Sequence, residues 1–337
     1  MAESEEEVSF QPLPWQTSNW QRLAGCIQSD RMPHAVLLTG TAGVGKAHFA
    51  RALAAALLCE TKGDQDSACG VCKGCRMLQA GTHPDFTLIQ PEEPGKAIRI
   101  DTIREFTARG ALTSQSGGYK AIILEPADAL NTAAANSLLK TLEEPVERTV
   151  MILATSRPGR LPATIRSRCQ RYDFPPPEPA VARTWLQQQE VVAEPSQAEL
   201  LLSLAAGAPL LARDYARSGT LDERATMIQE TQAILSGKQD PVVVAQRWSQ
   251  LDQRQVVQWF SGWLIDIIRL KIASQAAAII NIDQRERLQA LAREVNSKRV
   301  YALLDRLIEA NRTLGAQLNT QMQLESLLLD WADLGIE

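Results

Sequence analysis

Long apolar runs, a surplus of basic charge and a generous supply of cysteine are all missing from this 337-residue sequence, and each absence removes a class of function. No apolar stretch approaches the roughly 18 residues that a membrane-spanning helix needs, so no membrane partner is expected. Lys plus Arg number 35 against 39 Asp plus Glu, a formal net charge of −4. Proteins that coat nucleic acid on their own usually carry a strong basic excess, so that role is disfavoured, while DNA contact inside a larger assembly stays open. The acidic start (Glu3, Glu5, Glu6, Glu7) has neither the basic end nor the apolar centre of a secretion signal. A soluble, cytoplasmic chain is the expectation. In that compartment 6 cysteines do not make a disulfide framework, and four of them crowd between Cys59 and Cys75. No internal repeat is visible.

What remains is an ordinary globular composition, 45% hydrophobic and 22% charged. At roughly 150 residues per domain the length allows two or three domains. The first part alternates. Ala35–Thr39 reads as a strand, Gly40–Lys46 as a glycine-rich loop and His48–Leu58 as a helix. Asp101 can cap a helix over Thr102–Leu112, Ala121–Leu124 is a second strand, and Asn131 caps a helix that stops before Pro145. Val150–Leu153 is a third strand. Continuous apolar strands alternating with helices predict a parallel sheet covered on both faces. The prolines at 175, 176, 177 and 179 end that pattern. Beyond them only helices are expected: one capped by Ser196 and ended near Gly207, one over Leu210–Arg217, and longer ones through Val256–Leu270 and Val300–Ile308.

The segment from Gly40 to Ala47 (Gly-Thr-Ala-Gly-Val-Gly-Lys-Ala) follows a strand and opens a helix, the setting of a phosphate loop. Gly40, Gly43 and Gly45 let backbone N–H groups turn toward phosphates, and Lys46 brings a charge to them. Yet Ala47 stands where a hydroxyl should hold Mg²⁺. On the second strand Glu125 keeps a carboxylate, one methylene too long, and Pro126 replaces the carboxylate that polarises water. Losses of this kind cost orders of magnitude in turnover. A nucleotide-binding fold that has lost hydrolysis is predicted; the retained glycines and Lys46 leave binding of ATP or ADP open.

Cys59, Cys69, Cys72 and Cys75 follow the spacing Cys-x9-Cys-x2-Cys-x2-Cys, which can close tetrahedrally around Zn²⁺. An iron–sulfur cluster uses a similar run, usually with a further Cys-Pro downstream, whereas Arg76 follows Cys75 here. A redox Cys-x-x-Cys would not account for four thiols. Four sulfur ligands leave no open position, so such a zinc would be structural.

Several short stretches then combine: Asn136–Pro145 (Asn-Ser-Leu-Leu-Lys-Thr-Leu-Glu-Glu-Pro), Ala154–Ser156, Ser167-Arg168-Cys169, the cysteines after the phosphate-loop helix, and Gly81–Asp85. Together with the damaged loop they resemble the clamp-loader branch of the AAA+ ATPases, densely from about Arg31 to Phe174 and more thinly afterwards. The resemblance implies an α/β parallel-sheet AAA+ P-loop domain over 1–174 with a zinc-binding insertion at about 59–75. A small helical lid domain over 175–217 and an all-α collar domain over 218–337 would follow, the segment Leu318–Glu325 matching the family's collar helix. It implies a ring subunit of the bacterial DNA polymerase III clamp loader. Its partners would be the ATP-hydrolysing tau/gamma subunits, the delta subunit, the beta sliding clamp and primed DNA. Arg168 of the motif begun by Ser167 would act as an arginine finger on a neighbour's ATP, with no catalysis in cis. Leu210 stands where active relatives carry a sensor arginine, with Arg213 one turn later; the other sensor falls at Thr155 or Ser156. Two other readings compete: an active AAA+ ATPase with atypical metal handling, and a zinc-dependent DNA-binding module.

Overall fold

In the computed structural model the described residues are 10–334, apart from 64–65, 94, 111–113, 115–116, 193, 274–277 and 314–318. The acidic start, Leu112 and Leu318 therefore lie outside them. The chain divides into two compact units, Met1–Ala182 with Ala208–Leu211, and Arg183–Gly207 with Ala212–Glu337. None of the described helices is long and apolar enough to cross a membrane.

The first unit is built on a five-stranded parallel sheet: β1 (Ala35–Thr39), β2 (Phe86–Ile89), β3 (Lys120–Leu124), β4 (Thr149–Thr155) and β5 (Gln170–Asp173), in the order β2-β3-β4-β1-β5. Strands β1 and β3 are buried along their whole length, which is why they read as unbroken apolar runs. On one face Leu37, Ile122, Leu124, Met151 and Leu153 meet Ile103 and Phe106 of α4 (Ile100–Gly110) and Leu138 and Leu142 of α5 (Thr132–Glu143). Trp20 of α1 (Thr17–Gln28) and Phe49 of α2 (Lys46–Leu58) form a second aromatic layer, with ring centres 5.7 Å apart; Phe49 lies 4.8 Å from Phe174. Two short helices complete the set used below, α3 (Lys73–Gln79) and α6 (Ala163–Arg166).

Asn131 caps α5 as expected, its side chain accepting from the Ala134 N–H at 2.7 Å. Asp101 sits inside the first turn of α4 rather than at its cap, because the helix starts at Ile100. Strands β2 and β5 carry no apolar alternation strong enough to be read from sequence. β5, Gln-Arg-Tyr-Asp, buries only Tyr172. It is a strand because β1 offers it a parallel edge, pairing Leu38 with Tyr172.

The described residues of the second unit contain no strand. Helix α7 (Pro179–Gln188) straddles the division, and α8 (Pro195–Leu204), α9 (Pro209–Arg217), α10 (Thr220–Leu235), α11 (Pro241–Trp248), α12 (Gln253–Ile272), α13 (Arg285–Glu294), α14 (Ser297–Thr313) and α15 (Thr320–Ala332) follow. Ser196 does not cap α8. The capping position belongs to Glu194, and Pro195 fills the first helical turn, where its missing N–H costs nothing. The core gathers Trp248, Phe260, Trp263 and Trp331, with the Trp331 indole donating to Thr231 O at 2.9 Å. Two buried charges are matched internally. Asp266 accepts from the N–H groups of Ile280 and Asn281, and Arg224 donates to both oxygens of Asp283 and to Asn281.

Candidate functional site

The phosphate loop leaves the carboxyl end of β1, a central strand flanked by β4 and β5, and enters α2 at Lys46. Gly43 and Gly45 take positive φ values, 78° and 88°. They also sit where nothing larger fits. A Cβ on Gly43 would lie 2.4 Å from the Leu211 side chain, and one on Gly45 would lie 2.5 Å from Leu13 and 2.7 Å from Gln16 Nε2. The Leu210 N–H donates to Gly43 O at 3.0 Å, so the start of α9 docks on the loop with an aliphatic residue where a sensor arginine was sought. Trp15 Nε1 donates to Val44 O at 3.0 Å, and Gln16 Nε2 donates to Gly45 O at 2.9 Å.

Lys46 is 7% exposed, and all three of its N–H donors have takers within the chain. Nζ donates to Gly40 O at 2.9 Å, Thr41 O at 2.7 Å and Ser156 Oγ at 3.2 Å. Burial lowers its pKa to about 8, against the pull of Glu125 and Asp128. At the end of β3, burial pushes the Glu125 carboxyl up, opposed by Arg51 and Lys46; its Oε2 has no hydrogen-bond partner and lies 3.7 Å from Arg51. Thr155, at the expected sensor place, donates instead to Asp128 Oδ1 at 2.6 Å. Pro126 and Ala47 stand as expected, with no acid, hydroxyl or N–H to offer through their side chains. Arg213 lies in the second unit and pairs with Asp214.

The four cysteine sulfurs lie within 4.8 Å of one another, and Cys59 and Cys72 are 3.8 Å apart. A tetrahedron with metal–sulfur bonds of about 2.3 Å has edges of about 3.8 Å, so the donor set fits a tetrahedral thiophilic ion. Local folding builds this cradle. Cys59 ends α2, and Cys72 caps α3, its sulfur accepting the Cys75 N–H at 3.4 Å. The Cys69 and Cys72 N–H groups donate to the sulfurs of Cys59 and Cys69, each at 3.3 Å. Hydrogen bonds from Thr61 and from backbone N–H groups pull Cys69 down to about 6, whereas burial pushes Cys59 and Cys75 up. Gly74 lets α3 approach the end of α2; a Cβ there would lie 2.7 Å from Leu58 O.

Arg168, 35% exposed at its side chain, follows α6. Its guanidinium donates to Thr164 O at 2.9 Å and to the Glu143 carboxylate at the end of α5. Ser167 Oγ donates to Thr164 O at 3.1 Å, so both motif residues fasten to the same carbonyl.

The model for the family described as DNA polymerase III, delta subunit, matches residues 15–178, and the one for DNA polymerase III, delta subunit, C terminal, matches 218–333. The chain is 37% identical over 324 residues to DNA polymerase III subunit delta-prime of Pseudomonas aeruginosa, covering 95% of this chain and 97% of that one. The chain belongs to the DNA polymerase III delta-prime family. Delta-prime of Escherichia coli is 33% identical over 321 residues, covering 94% of each chain. DNA polymerase III subunit tau of Escherichia coli is 33% identical over 189 residues, 55% of this chain and 29% of that protein.

In this delta-prime family member the parallel sheet with a glycine-rich loop between β1 and α2, read from the motifs, is present, and so is the close grouping of the four cysteines. The residues that sequence reasoning missed are the ones that reach the loop from elsewhere, Leu13, Trp15 and Gln16 from before α1; Glu143, already part of a quoted motif, is placed by the fold as the partner of Arg168. Pro14 was the available signal for Leu13, since the residue before a proline is held extended; Trp15 and Gln16 follow in a 3-10 turn.

Proposed function

We propose that this chain is the non-hydrolysing subunit of a clamp-loader ring, giving Arg168 in trans to the ATP of a neighbouring tau/gamma subunit while supporting the loading of a beta sliding clamp onto primed DNA with delta. As part of a DNA-directed DNA polymerase holoenzyme it works in the cytoplasm and catalyses nothing alone. The observation that carries this reading is the state of its own phosphate loop. Lys46 has no donor left for a phosphate, and no side chain at Ala47 or Pro126 can hold Mg²⁺ or polarise water. Arg168, in contrast, is partly exposed and makes its polar contacts outside that loop. A guanidinium brought against a γ-phosphate stabilises the charge of the transition state, worth about 10³–10⁵ in rate at known fingers. Ser167 holds the turn that presents it.

The cysteine cluster is assigned structural Zn²⁺. The ion supplies cross-linking between the end of α2 and the start of α3, and with four sulfurs around it there is no coordination site for chemistry. The collar over 218–337 and the lid over 175–217 are part of the same proposal. Supporting the collar, α14 leaves Tyr301 and Ile308 exposed two turns apart, and α15 does the same with Met322 and Leu329.

The test is ATP turnover, stimulated by clamp and primed DNA, in a ring reconstituted with and without Arg168→Ala. The isolated chain is expected to be silent. The substitution is expected to lower ring turnover at least tenfold, about 1.4 kcal/mol or more. Unchanged turnover removes the finger; turnover by the isolated chain restores the ATPase reading.

A further inference from the structure

One segment touches both the cysteine module and the phosphate loop. Phe10 is buried in the same apolar cluster as Ala55, Cys59, Ala68 and Cys75. Gln11 donates to Ser67 Oγ at 2.9 Å, inside the module's loop, and Gln11 O bonds His48 Nε2 at 2.6 Å on the first turn of α2. Beyond Pro12, Leu13 and Gln16 close against Gly45, and Trp15 and Gln16 hold the Val44 and Gly45 carbonyls. Helix α2 joins the same two places, from the loop at Lys46 to the ligand position Cys59. The segment takes a shorter path than that 13-residue helix: residues 10–13 belong to no helix, and Pro14–Gln16 form a 3-10 turn that leads into α1. The strap is therefore anchored at both ends, by Phe10 in the module's apolar cluster and by Trp15 and Gln16 on the loop carbonyls, with Gln11 between them bonded to the first turn of α2.

We propose that residues 10–16 are a mechanical link through which the closed cysteine module keeps the phosphate loop in its collapsed form. An intact module provides the apolar seat for Phe10. With Phe10 seated, Pro12 and Pro14 restrict the segment to conformations that leave Trp15 and Gln16 on the loop carbonyls. Lose the seat and the far end has only its own few hydrogen bonds. The inference rests on reading the four cysteines as a metal centre and names what that centre regulates; it does not require the arginine finger.

Amide hydrogen exchange on the full chain tests it, with metal content measured on the same samples. Phe10→Ala is expected to keep its metal yet raise exchange over residues 10–16 and 40–46 by about tenfold, leaving β1 and β4 unchanged. Stripping metal from the wild-type chain with a zinc chelator is expected to give the same pattern. Loop exchange that stays at the wild-type rate while residues 10–16 are freed overturns the link. A chain purified without metal overturns the metal reading by itself, and Phe10→Ala then still decides the link. Should Phe10→Ala also speed exchange in the strands, Gln11→Ala replaces it, removing the bond to Ser67 without touching the core. Faster exchange over 40–46 in that variant supports the link, and wild-type exchange there overturns it.

Discussion

Lys46 is an ammonium group held in a buried place by oxygens of its own loop. Its folded pKa of about 8, set by burial, lies below the value near 10.5 that it has in the unfolded chain. Between those two values the unfolded state binds more proton, so this group's destabilising effect is full below pH 8 and fades as the pH rises to about 10.5. The size is roughly 3 kcal/mol. Urea denaturation of wild type and Lys46→Met at a series of pH values from 8 upward isolates it, because titrating groups that do not face Lys46 cancel in the difference. Relative to the variant, the wild type is expected to gain stability from pH 8 to 10.5. A flat difference would mean that the ammonium is more solvated than its contacts indicate. Arg168 belongs to the same scale. One guanidinium, tied to Thr164 and Glu143, carries the trans activity proposed for the whole chain.

At the scale of elements, the cysteine module shows how a short insertion holds itself without a large core. It has about two turns of helix in α3, a capping thiol and a few apolar side chains around Phe10. Replacing Cys72 by Ala removes a proposed ligand and the cap of α3 together. Cys72→Ala is expected to drop bound zinc from one per chain toward none and to lower the thermal midpoint by roughly 5–10 °C, a loss of about 2–3 kcal/mol. Elemental analysis and a melting curve check it; retained zinc with an unchanged midpoint rejects the four-sulfur site, and iron in place of zinc revives the cluster alternative. Much of this element was legible in advance. Thiolate spacing is a local property, and Cys-x2-Cys-x2-Cys can close only over a tight turn. The strap was not legible, because nothing in Phe10–Gln16 states which surface lies 20 or more residues away along the chain.

For the whole molecule, the exposed apolar pairs on α14 and α15 are the surface where assembly is proposed. Met322 is 64% exposed and Leu329 50%, so charges there leave the core intact. The double substitution Met322→Glu with Leu329→Glu is expected to keep the melting curve of the isolated chain within about 1 kcal/mol. It is also expected to abolish co-elution with the ATP-hydrolysing subunits in size-exclusion chromatography. Co-elution at wild-type levels would move the collar contact to another face. Unlike Arg168→Ala, which is expected to slow an assembled ring, this variant should prevent the ring from forming, so the two separate assembly from catalysis.

The amino-acid sequence by itself determined the three central strands, the phosphate loop with its missing groups and the cysteine spacing, because each is written in residues adjacent along the chain. Ala47 and Pro126 lack the required atoms in any conformation. Tertiary structure decided the rest. It made an edge strand of Gln170–Asp173 by giving it β1 to pair with, and it turned Thr155 toward Asp128. It filled the three donors of Lys46, and it laid Leu13, Trp15, Gln16 and Leu210 against a loop that is distant from all of them in sequence except through folding. Local pattern states which groups a chain owns; which of them are already bonded to one another depends on long-range packing, and that is what closes this loop.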